Sequence, residues 1–223
     1  VLEKDFDILM TRTSDRPVAT GRMKSSEAVM FAGLACLLGI SILATFNPMT
    51  ALLGMISLII YAFVYTPLKR YSTLAVAVGA IPGALPVMIG FSAHDERITM
   101  MALSLFVIQF LWQFPHFWSI GFLGFDDYNK AGYKLLPVRD ESIDRNLGLS
   151  SMFYALLTLP VALFMFMYLN VSFTSTCIVC FAGIVYMFYS YQLHKNFDRP
   201  SALKLMFYSF LYLPFVLFTY LIF

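Results

Sequence analysis

Charge is what this sequence has least of. Asp, Glu, Lys and Arg make up 13% of its 223 residues, against 60% hydrophobic, and the mean hydropathy is +0.76. A water-soluble domain of this length needs far more polar surface, so that class is excluded. The net charge of +2 is too small for a polyanion-binding surface, which argues against a nucleic-acid partner. Cysteine is scarce as well. Cys36, Cys177 and Cys180 all fall inside apolar runs. The Cys177-Ile-Val-Cys180 spacing resembles a metal or redox pair, but it sits mid-span without a second pair and reads as packing. There are no heptads, no low-complexity tracts and no clear internal repeat.

What is abundant is uninterrupted apolar sequence. Seven runs are long enough to cross a hydrocarbon core of roughly 30 Å: 27–46, 49–66, 73–91, 98–123, 149–169, 171–193 and 201–223. The predicted fold is therefore all-α, a polytopic transmembrane helical bundle, with the lipid bilayer as its solvent. Alternating the connections between two sides puts 1–26, 67–72, 124–148 and 194–204 on the first. Fourteen of the 15 Lys and Arg residues lie there, and only Arg97 lies on the other. The positive-inside rule places the first side in the cytoplasm. The links on the second side are mostly one or two residues long, so those spans form tight hairpins.

Eleven of the 13 acidic residues share the cytoplasmic side. Orientation rules do not require this, because acids contribute little to them. Polar loops would account for it; so would carboxylates and cations meeting an anionic substrate. The opening stretch carries Glu3 and Asp7, which share one face if the segment is helical. Their repulsion would turn to attraction around a divalent cation such as Mg²⁺, held by carboxylates and phosphate oxygens. Arg12 and Arg16 follow, suited to phosphate through planar bidentate contacts, or simply to setting topology. Tyr65 and Lys69 are four apart at the end of the second run, where interfacial anchoring is the competing account. The third run is rich in small residues and holds Pro82 and Pro86. Close helix packing explains it better than a cavity lining.

The fourth run ends in Gln113-Phe114-Pro115-His116-Phe117-Trp118, and Pro115 is expected to kink it. His116 lies inside apolar sequence, where a polar group is costly and is functional or well paired. It could ligate an iron porphyrin, act as an acid or base, or be a structural hydrogen-bonded histidine. Asp126 and Asp127 form a second acidic cluster, with Asp140, Glu141 and Asp144 downstream. Two acidic clusters facing one compartment, with arginines and a Tyr/Lys pair, suggest Mg²⁺-diphosphate binding beside a lipid-accessible cavity.

Together these stretches resemble the intramembrane aromatic prenyltransferase (UbiA-type) superfamily. They look most like its haem-farnesylating branch, the haem O synthases. The resemblance rests on Glu3–Met10 with Arg12-Thr13 and Arg16-Pro17, on 65–70, on Gly83-Ala84-Leu85-Pro86, on 113–118, and on Asp127-Tyr128 with Ala131-Gly132, in the family's order. It implies a nine-span fold of which this chain supplies seven, so that residues 1–223 would be a single transmembrane prenyltransferase domain, N-terminally incomplete. The family's first motif opens with an Asn four residues before Glu3, a position that precedes Val1. Its second motif spaces two Asp four apart, and the second of those positions is Lys130 here.

The resemblance further implies that farnesyl diphosphate binds with Mg²⁺ between Glu3/Asp7 and Asp126/Asp127. Arg12, Lys69 and Tyr65 would carry the catalytic work, with Arg16, Arg70 and Lys130 on the substrate and His116 contacting haem b. It implies a haem A synthase or an oxidase-assembly factor as partner. Two alternatives are a prenyltransferase for a quinone precursor such as 4-hydroxybenzoate, and a transporter with a cytoplasmic salt-bridge gate. A transporter predicts polar groups along the membrane centre, and the runs show very few.

Overall fold

The computed structural model describes residues 1–139 and 142–222. Among them, seven helical segments are long and apolar enough to cross a membrane, each overlapping one of the seven runs. In chain order the elements are α1 (Lys4–Asp7), α2 (Ser25–Ala44), α3 (Pro48–Ile59), a π-helical segment (Ile60–Tyr65), α4 (Thr66–Leu68), α5 (Ala75–Asp95), α6 (Met100–Leu123) and α7 (Phe125–Lys130). A two-residue ribbon follows, β1 (Val138–Arg139) paired antiparallel with β2 (Ser142–Ile143), and then α8 (Leu147–Tyr168), α9 (Phe173–Asn196) and α10 (Arg199–Ile222). The described chain forms two compact units. One holds Val1–Arg97 with Gly124–Leu135; the other holds Ile98–Leu123 and the chain from Leu136 onward.

In the first unit, α2 and α3 are joined by a short turn at Asn47, whose side chain accepts from the Thr50 N–H at 2.9 Å with Pro48 in the first helical position. This is the sequence chemistry of a helix start. The Asn47 amide also donates to the Ser92 carbonyl at 2.7 Å, tying this turn to the far end of α5.

The second span changes pitch. Pro67 has no N–H to give the carbonyl four residues back, and its ring crowds that turn. The chain widens into the π segment, the Thr66 N–H reaches the Tyr61 carbonyl, and the Thr66 hydroxyl donates to the same carbonyl at 2.8 Å. Gly79 of α5 faces this segment. A Cβ there would lie 2.6 Å from the Tyr65 ring. The small-residue run is thus packing, as expected, and what it packs against is Tyr65.

The second unit gathers α6, α8, α9 and α10. Helix α6 is continuous through Pro115. Its core is aromatic and hydrogen-bonded. The Tyr186 hydroxyl donates to the Trp112 carbonyl at 3.0 Å, the Tyr212 hydroxyl to Thr158 Oγ1 at 3.2 Å, and the Tyr208 hydroxyl to the Ala182 carbonyl at 2.7 Å. Buried hydroxyls in an apolar medium need such partners. Cys177 and Cys180 are free thiols on α9.

Candidate active site

The site residues of the first unit converge from three stretches: the N-terminal segment, the end of the second span, and the chain around α7. Glu3 and Asp7 are one helical turn apart, with the Asp7 N–H bonded to the Glu3 carbonyl at 2.8 Å. Their carboxylates take different cations. Arg16 donates through Nη1 to both Asp7 oxygens, at 2.9 and 3.1 Å. Lys69 Nζ lies 2.5 Å from Glu3 Oε1, and that same oxygen accepts from the Tyr133 hydroxyl at 2.9 Å. Like-charge repulsion is thereby relieved by the protein's own cations.

Lys69 reaches Glu3 past two aromatic faces, with its ammonium 4.9 Å from the Tyr65 ring centroid and 5.2 Å from that of Tyr133. Its side chain is only 12% exposed, so the ring faces replace lost water around the charge. Arg70 stacks on Phe6 at 3.6 Å and donates to the Leu2 carbonyl at 3.1 Å. Its Nε is buried without a hydrogen-bond partner among the described residues. Burial and the hydrogen bond to Glu3 push the Tyr133 hydroxyl well above its ordinary pKa, so it stays a donor at any physiological pH.

Of the second acidic cluster, Asp127 is the member tied in. Its Oδ1 accepts from the Thr11 hydroxyl at 3.0 Å and lies 3.7 Å from the Lys130 ammonium. Asp126 and Arg12 are exposed, with no side-chain partner among the described residues. Asp144 accepts from the Asn146 N–H at 2.8 Å in the turn before α8, while Asp140 and Glu141 lie outside the described residues. The sequence reading missed Tyr133, Thr11 and Phe6. The signal for Tyr133 was a lone aromatic after Gly132 in a polar connection.

No group of three or more His, Cys, Asp or Glu side chains converges into a metal cage among the described residues. The donor set still suits Mg²⁺, which takes one or two carboxylates and fills its shell with water and phosphate oxygens. Glu3 and Asp127 each engage the protein through one oxygen, leaving Oε2 and Oδ2 without a protein partner among the described residues. Asp7 has both oxygens committed to Arg16.

His116 lies in the second unit. It is 8% exposed, stacked on Trp112 at 4.6 Å and edge-on to Phe210 at 4.9 Å. Its Nδ1 is 2.8 Å from Ser209 Oγ. The Ser209 hydroxyl donates to the Met206 carbonyl at 2.5 Å, so it receives the Nδ1–H, and the lone pair of the imidazole sits on Nε2.

Carboxylates and cations paired in the connections that flank apolar spans make an arrangement suited to a membrane enzyme that handles an anionic substrate. The sequence places it more narrowly. The chain belongs to the UbiA prenyltransferase family, which matches residues 1–212. It is 40% identical to the protoheme IX farnesyltransferase of Flavobacterium psychrophilum over 226 residues, covering 100% of this chain and 75% of that protein. It is 42% identical over 217 residues to the protein of the same name from Cytophaga hutchinsonii, covering 97% and 76%. To protoheme IX farnesyltransferase 1 of Bacillus velezensis it is 33% identical over 212 residues, covering 94% and 67%. No solved structure matches the chain.

Proposed function

We propose that this chain transfers the farnesyl group of farnesyl diphosphate to a vinyl group of protohaem IX, giving haem O. The observation that carries this is identity of about 40% across the whole chain to relatives bearing that name. The paired charges of the first unit supply the chemistry. Lys69, Arg16, Arg70 and Arg12 are the cations offered to the diphosphate, and Tyr65 orients the allylic end. Mg²⁺ held by Glu3 and by Asp127 with its neighbour Asp126, and by Asp7 once Arg16 turns from it to the phosphate, would offset the charge growing on the leaving group. The C1–O bond of farnesyl diphosphate breaks and its electron pair leaves with the diphosphate. The allylic cation takes the π electrons of the vinyl group, forming the new C–C bond. Water adds to the resulting cation and gives up a proton, leaving the hydroxyethylfarnesyl side chain. Apolar spans keep water scarce around the first cation. Lys130 meets the substrate beside Asp127, and His116, with its lone pair on Nε2, contacts haem.

Fourteen of 15 basic residues on one side support a cytoplasmic site in a bacterial inner membrane. Haem O is then available there to a haem A synthase or to oxidase assembly. The test is conversion of haem b and farnesyl diphosphate by membranes carrying the chain, with products read by mass spectrometry. Haem O is the expected product. Prenylated 4-hydroxybenzoate without haem O would overturn the proposal.

A further inference from the structure

Tyr133 occupies a position that the farnesyl-transfer reading leaves unexplained. It is 7% exposed and touches both members of the central ion pair. Its hydroxyl donates to Glu3 Oε1 at 2.9 Å, and its ring face lies 5.2 Å from the Lys69 ammonium. The backbone holds it there from both sides. Gly132 turns the chain at φ +71°, a conformation that side-chain-bearing residues rarely adopt. The Tyr133 N–H then donates to the Tyr128 carbonyl at 2.9 Å, and the next N–H, of Lys134, donates to the carbonyl of Lys69 itself at 2.6 Å. Phe6 packs on the Tyr133 ring at 5.9 Å. The segment that carries Tyr133 is therefore fastened to the residue whose ammonium it faces.

An ammonium has three donors and Glu3 satisfies one of them. When a phosphate draws Lys69 away, Glu3 loses its counter-charge, and a half-buried carboxylate left bare is costly. A second donor already on Oε1 keeps that carboxylate solvated and aimed while its other oxygen takes up a cation. We infer that Tyr133 is a positioning residue that holds Glu3 and Lys69 for Mg²⁺-diphosphate binding, through its hydroxyl and its ring face respectively. This rests on the proposal that Glu3 and Lys69 meet Mg²⁺ and diphosphate.

The test is calorimetric titration of the full chain, in detergent, with inorganic pyrophosphate at a series of Mg²⁺ concentrations. Farnesyl-transfer kinetics run alongside. Tyr133→Phe keeps the ring and removes the donor; it should weaken Mg²⁺-dependent pyrophosphate binding about tenfold, the worth of one charge-assisted hydrogen bond. Raised Mg²⁺ should restore it, with kcat within about threefold of wild type. Tyr133→Leu removes the ring as well and should weaken binding further. Wild-type affinity and Mg²⁺ dependence in Tyr133→Phe would overturn the inference. So would lost turnover with unchanged pyrophosphate affinity, because that pattern marks damage elsewhere. A wild-type chain that binds no pyrophosphate at any Mg²⁺ concentration fails at the underlying proposal, and the inference falls with it.

Discussion

Replacing Gly79 by alanine adds one carbon at the tightest point between α5 and the π segment. That carbon would sit 2.6 Å from Cε2 and 2.7 Å from Cδ2 of Tyr65. Carbon atoms rest at about 3.5–4.0 Å, so the ring must retreat by about 1 Å. Both close atoms belong to a rigid ring, so the helices part or the ring turns. Overpacking of this kind costs about 1–3 kcal/mol, against a gain of about 1 kcal/mol for alanine over glycine in a helix. The single variant should lie about 0–2 kcal/mol below wild type. Turnover should fall more than stability does, because Tyr65 also flanks Lys69 at 4.9 Å and a misplacement of about 1 Å can cost on the order of a hundredfold. The decisive measurement is a double-mutant cycle with Tyr65→Ala, reading unfolding in mixed micelles. With the ring gone, Gly79→Ala should become neutral or stabilising, a coupling of about 1–3 kcal/mol. A Gly79→Ala chain as stable and as active as wild type, with no coupling to position 65, would refute the close-approach argument.

Other substitutions separate the two ends of the first unit and the two units. Asn47→Ala removes a helix cap and the link to Ser92. It should cost about 1–3 kcal/mol in thermal stability while kcat at permissive temperature stays at the wild-type value. Chelation of divalent cations should abolish farnesyl transfer, with activity returning on titration of Mg²⁺ and not of Na⁺ at equal ionic strength. His116→Ala should weaken haem b binding and change its absorption spectrum, and Ser209→Ala should do so to a lesser degree by freeing the tautomer. A His116→Ala chain with normal haem binding and turnover would remove that histidine from the site.

The spans were legible because hydrophobic length is a direct measure of what lipid tolerates, and each run became a helix within a few residues of its expected ends. The charged and polar residues that the structure brings together stood out as clusters in the sequence, but their pairing did not. Glu3 and Asp7 share a turn, as their spacing implied, yet each turns to a different cation. Asp7 meets Arg16 because the chain from Thr11 to Asp15 folds back through turns that no periodicity announces. Lys69 was found as a neighbour of Tyr65 in sequence; its bond to Glu3 spans 66 residues and depends on where the second span ends. Tyr133 was passed over because the motif around Asp127 and Gly132 stops one residue short of it. Asp126 and Asp127 were interchangeable on paper, and only the helical turn of α7 decides which one faces Thr11.

The π segment has a consequence for how the second span should be counted. Each residue advances a helix by about 100°, and a π turn holds one residue more than an α turn. The side chains before Ile60 and after Tyr65 therefore belong to two helical wheels, out of phase by about that angle. A single wheel drawn through 48–68 would assign Tyr65 and Lys69 to the wrong meridian. Pro67 acts as the escapement that sets this phase. Deleting one residue between 60 and 64 would let the span run as a plain α-helix, of almost the same length and apolarity. It would still cross the membrane, with Tyr65 rotated away from its notch at Gly79 and Lys69 carried off with it.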